Sequence, residues 1–84
     1  MSLKILMADD ESDVLAIMEK KISDHGYETI TAKNGQEAWE RIQLEVPDMV
    51  LLDLNMPKMG GFEVLEELRK YPPKKKRVPA IIIS

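Results

Sequence analysis

An α/β fold built on a parallel sheet is the architecture this sequence predicts, and three observations carry the prediction. Short apolar runs of strand length alternate with segments whose apolar residues recur at helical spacing. The third apolar run, at 48–53 (DMVLLD), is unbroken, as in a strand covered by helices on both faces. Glycine and proline punctuate the boundaries between segments.

The first strand is expected over 3–8 (LKILMA). A helix follows in which Val14, Leu15, Met18 and Ile22 share one face, with Ser12 as N-cap, Asp13 in the first turn and Gly26 ending it in the left-handed conformation. Residues 27–32 (YETITA) alternate and are rich in β-formers, which makes them a second strand. Asn34 or Gly35 starts a second helix, with Ala38, Ile42 and either Trp39 or Leu44 turned inward, and Pro47 stops it. After the third strand, a turn with Pro57, Gly60 and Gly61 leads into a third helix carrying Phe62, Leu65 and Leu68 on one side. Pro72 and Pro73 open a basic loop, and Pro79 precedes a fourth strand over 80–83. Right-handed βαβ crossovers then give a parallel sheet.

At 84 residues the chain holds one domain at most. Its 44% hydrophobic and 32% charged content is that of a folded globular protein. No apolar stretch is long enough to cross a bilayer and no signal peptide is visible, so the expected location is the cytoplasm. The absence of cysteine excludes disulfide scaffolds, thiolate zinc sites and cysteine nucleophiles. A net charge of -3 argues against direct nucleic-acid binding by this domain.

In parallel sheets, binding groups gather outside the carboxyl ends of the strands. Asp9 and Asp10 follow strand one, Asp53 ends strand three and Ser84 follows strand four, so four polar groups converge on one rim. Carboxylates about 5 Å apart repel by roughly 3 kcal/mol per pair at an effective dielectric near 20. A hard divalent cation relieves this, and Mg²⁺ takes one or two carboxylates together with phosphate oxygens. The competing reading is that Asp9 and Asp10 only cap the first helix.

Among phosphate chemistries, a nucleotide hydrolase needs a GxxxxGK loop, which is absent. An aspartate-nucleophile phosphatase of the haloacid dehalogenase type carries a second aspartate two residues after its nucleophile, where this chain has Asn55. What remains is an aspartate that accepts a phosphoryl group and holds it, being already ionised at neutral pH.

The acidic pair Asp9 and Asp10, the stretch LLDLNMPKMGG around Asp53 and the hydroxyl residue Ser84 together resemble the receiver domain of two-component response regulators, over the whole chain. The resemblance implies a three-layer, flavodoxin-like parallel sheet with strand order 2-1-3-4. It further implies that Asp53 is the phosphoacceptor, with Asp10 and Asp53 as direct Mg²⁺ ligands, Asp9 acting mainly through water and Asn55 contributing its backbone carbonyl. Ser84 would be the hydroxyl that bonds a phosphoryl oxygen and moves on modification. Met56, Pro57 and Gly61 match the family's turn, with Gly61 supplying a permissive backbone. The implied donor is a histidine kinase or a histidine phosphotransfer domain. Enzymatic activity would be limited to Mg²⁺-dependent self-phosphorylation and slow autodephosphorylation.

The family continues past this serine through a helix, a strand ending in lysine and a final helix, none of which is in this sequence. Residues 1–84 are therefore expected to be the N-terminal part of a single receiver domain. The alternative expectation is a truncated, largely inactive fragment that self-associates through its exposed fourth strand or is completed by a partner chain.

Other residues have plainer readings. His25 complements the dipole at the end of the first helix, the run Lys74 to Arg77 is a solvated loop, and Trp39 and the methionines fill the core. Glu11 extends the acidic rim or caps the first helix.

Overall fold

A computed structural model describes residues 3–75 and 77–83. Four strands, β1 (Lys4–Ala8), β2 (Glu28–Ala32), β3 (Met49–Leu52) and β4 (Ala80–Ile82), alternate with α1 (Ser12–Asp24), α2 (Gly35–Glu45) and α3 (Gly61–Lys70). A 3-10 turn, Pro73–Lys75, precedes β4. The sheet is parallel throughout, in the order β2-β1-β3-β4. The 2-1-3-4 order expected from the resemblance is the one observed.

The two-residue period of the strands sorts their side chains into two cores. Ile5 and Met7 of β1 pack on Leu15, Met18 and Ile22 of α1, joined by Met49 and Leu51. Leu6, Ala8, Ala32, Val50 and Leu52 point the other way, against Ala38 and Ile42 of α2 and Val64 and Leu68 of α3. Helices on both faces make three layers, which explains why β3 reads as an unbroken apolar run. β4 stands at the edge, with Ile81 48% and Ile83 36% exposed.

The helix boundaries depart from expectation in two places. Ser12 is not an N-cap: it lies inside α1, Glu11 holds the cap position without a side-chain bond, and Glu11's own N–H donates to Asp9 Oδ1 at 3.0 Å. Phe62 does not face the core: it is 59% exposed, and the buried stripe of α3 runs through Val64 and Leu68. Gly61 at the start of α3 presses on the backbone of Asp53. The register this imposes turns the next residue outward.

Elsewhere the boundaries agree with expectation. Asn34 caps α2, its Oδ1 accepting the Glu37 N–H at 2.8 Å. Of the two candidates on α2, Trp39 packs on the core and Leu44 is 76% exposed. Gly26 takes a φ of +90° just after α1, a conformation that favours glycine. Asn34→Ala should cost about 1 kcal/mol and Ser12→Ala only a few tenths. Chemical denaturation of the two variants checks the contrast.

Candidate functional site

The parallel ladders carry Asp9 and Asp53 to adjacent strand ends. Asp9 donates its N–H to the Ala32 carbonyl at 3.1 Å, and Asp53 donates to the Ala8 carbonyl at 2.9 Å. Each backbone is thus held one residue beyond its strand, and Ile83 donates likewise to the Leu52 carbonyl at 2.7 Å on the β4 side. Oxygens of Asp9, Asp10 and Asp53 all lie within 4.8 Å of one another. Asp9 is buried, Asp53 is intermediate and Asp10 is exposed.

At this separation the Coulomb cost is about 3 kcal/mol per pair at an effective dielectric near 20, less where Asp10 meets solvent. Among the described residues no cationic side chain forms an ion pair with any of the three. The donor set is all oxygen and carries three negative charges, which fits a hard divalent cation. Asp9 Oδ1 accepts the N–H of Glu11, the residue before α1, and no side chain caps the first turn of that helix.

The other predicted residues fall in different places. Asn55 is exposed on the turn after β3, two residues beyond Asp53. Glu11 is exposed and stands outside the carboxylate group. Ser84 lies outside the described residues. His25, where α1 ends, places its ring Nδ1 2.8 Å from the Lys21 carbonyl, far from the rim in the helix direction.

The turn that presents Asp53 is fastened from several sides. Met56 is buried, the Met59 N–H reaches the Pro57 carbonyl at 2.8 Å, and Lys58 adopts a left-handed φ of 70°. Gly61 donates its N–H to the Leu54 carbonyl at 3.1 Å, and the Glu63 carboxylate accepts the Gly60 N–H at 3.2 Å. The role of Gly61 is space: a Cβ there would sit 2.5 Å from the Asp53 carbonyl oxygen.

Gly35 was not legible as part of this arrangement. A Cβ at Gly35 would collide with the Met59 carbonyl, so the first turn of α2 lies directly on the β3 to α3 turn. The one available signal was a glycine spent inside a helix, where it costs up to about 1 kcal/mol against alanine. Gly61→Ala should destabilise the fold by about 1–3 kcal/mol as the turn shifts. It should also weaken divalent-cation binding at the rim; thermal melts with and without Mg²⁺ read both effects.

Comparison with known proteins adds independent evidence. The family model described as "Response regulator receiver domain" matches residues 5–84. A probable transcriptional regulator, ycf27, of Porphyra purpurea is 43% identical over 81 residues, covering 96% of this chain and 32% of the relative. The alkaline phosphatase synthesis transcriptional regulatory protein PhoP of Bacillus subtilis is 39% identical over 70 residues, covering 83% of this chain and 29% of the relative. The chain thus spans about a third of the length of these curated relatives. Among solved structures, the Vibrio cholerae chemotaxis protein CheY4 matches with a TM-score of 0.89 at 32% identity, covering 98% of this chain and 68% of that one.

Proposed function

Because the chain belongs to the response regulator receiver domain family, we propose that it is the phosphoacceptor part of a two-component signalling switch, with Asp53 as the acceptor. The observation that carries this reading is the meeting of Asp9, Asp10 and Asp53 within 4.8 Å at the carboxyl ends of β1 and β3. Residues 1–84 are read as the N-terminal part of one receiver domain, in keeping with their 68% coverage of the Vibrio cholerae structure. Among the described residues no helix is long and apolar enough to cross a membrane, which is consistent with a cytoplasmic location.

Receiver domains generally bind Mg²⁺. Here Asp10 and Asp53 would hold it directly, Asp9 through water and Asn55 through its carbonyl. Bound there, the ion would neutralise the carboxylates and the phosphoryl oxygens.

The rest follows from the chain itself. The Asp53 carboxylate needs no general base, since it is already a nucleophile at neutral pH. One of its oxygens bonds to phosphorus as the bond from phosphorus to the donor histidine nitrogen breaks, and the electron pair of that bond leaves with the nitrogen. The ladder bond from Asp53 to Ala8 and the packing of Gly61 hold the nucleophile in place, so positioning supplies much of the acceleration. Ser84 is assigned as the switch hydroxyl and a histidine kinase or histidine phosphotransfer domain as the donor, both by family membership. If copies of the chain pair, the exposed edge of β4 is the surface for it.

Beryllofluoride, which mimics a phosphoryl group on a carboxylate, tests the reading. With Mg²⁺ present, the amide resonances of Asp10, Asp53 and their neighbours should shift in slow exchange. An unchanged spectrum would count against the site.

A further inference from the structure

The net charge of -3 hides a segregation. Six of the twelve Lys and Arg residues fall at 69–77 (RKYPPKKKR), a stretch with no acid, so this segment carries +6 and the remainder of the chain -9. Arg69 and Lys70 in the last turn of α3, Lys74 in the 3-10 turn and Arg77 before β4 are all exposed. The ion pairs among the described residues involve Lys4, Lys20 and Arg41, and none of these four.

The segment is anchored at both ends. Pro73 is fully buried and Val78 nearly so, and the Tyr71 N–H donates to the Glu67 carbonyl at 2.8 Å. Between these anchors Lys74 is held at a φ of 49°, and the Tyr71 ring is 61% exposed beside the cations. The patch leads into the start of β4, at the opposite end of the strands from the carboxylate rim.

We propose that Arg69, Lys70, Lys74 and Arg77 form a contact surface for the phosphate backbone of duplex DNA, read without regard to base sequence. Duplex DNA carries one charge per about 1.7 Å of axis and a condensed counterion layer, so cations that touch it gain by releasing those ions. A flat anionic bilayer is the poorer partner. Facing this end of a molecule 33 × 30 × 17 Å in extent, it would also meet Asp24, Glu28 and Glu45, which lie where α1 ends, β2 begins and α2 ends. A cylinder can lie along the β4 side alone. Tyr71 is moreover the one large apolar side chain this stretch exposes among its described residues, and stable bilayer attachment usually needs a second, apolar signal.

The test is fluorescence anisotropy of a labelled duplex of arbitrary sequence titrated with the full chain between 50 and 200 mM salt. Four phosphate contacts predict a slope of about -3.6 in log K against log salt, hence about 150-fold weaker binding across that range. The double variant Lys74→Gln, Arg77→Gln lies outside the α-helices and strands and should flatten the slope by about 1.8. The fourfold variant, with Arg69→Gln and Lys70→Gln added, should bind no measurable DNA while keeping its circular dichroism. If the double variant binds with an unchanged slope, or if the chain binds phosphatidylserine vesicles and not the duplex, the proposal fails.

Discussion

Asp53→Asn is expected to reduce phosphate incorporation from a small phosphodonor or a phosphohistidine protein to background, with the fold intact. An amide in place of the carboxylate has no ionised oxygen to attack phosphorus. The ladder bond from the residue 53 N–H to the Ala8 carbonyl survives the change, and the side chains are nearly isosteric. Without metal, the variant should be at least as stable as the parent, because one of three like charges within 4.8 Å is gone. Radiolabel transfer and a thermal melt on the same sample separate lost chemistry from lost structure. Label retained in Asp53→Asn would show that the acceptor is another residue.

The second large effect lies in the core. Leu6 is fully buried in β1, paired in register between Ile30 of β2 and Val50 of β3, and faces α2 and α3. Leu6→Ala should cost about 3–4 kcal/mol, from lost transfer energy and the cavity left behind. A domain of this size has roughly 4–12 kcal/mol of stability in total, so the variant should melt about 12–30 °C lower. Phe62→Ala offers the contrast. At 59% exposure it should cost under about 1 kcal/mol, although the sequence pattern alone places Phe62 in the core.

That contrast shows where sequence reasoning reaches and where it stops. Apolar periodicity and punctuation were enough to place every strand and α-helix in order, because each depends on neighbouring residues. The carboxylate cluster was legible for a related reason: in a parallel sheet, residues that follow strands share one rim whatever the loop details. What escaped depends on approach in space. On α3, Leu68 was placed correctly and Phe62 was not: the buried stripe is Gly61, Val64 and Leu68, and a glycine carries no apolar side chain to mark the inward face, although Gly61 lies against the Asp53 backbone. Ser12 looked like a cap by residue type, yet α1 begins one residue earlier: the Leu15 N–H that a Ser12 cap would accept already donates to the Glu11 carbonyl at 3.1 Å. The seating of Gly35 on Met59 joins residues 24 positions apart and has no local signature. Net charge says nothing of how the charge is distributed: the total of -3 includes a +6 stretch at 69–77.

The central claim, that Asp53 accepts a phosphoryl group at the rim formed with Asp9 and Asp10, is most directly tested by locating the modification. The chain is incubated with a small phosphodonor and Mg²⁺, the acyl phosphate is trapped by borohydride reduction, and the digest is sequenced by tandem mass spectrometry. The predicted result is homoserine at position 53, dependent on Mg²⁺ and absent when Asp10→Asn removes a ligand. Reduction at another carboxylate, or none at all with Mg²⁺ and donor in excess, would contradict it.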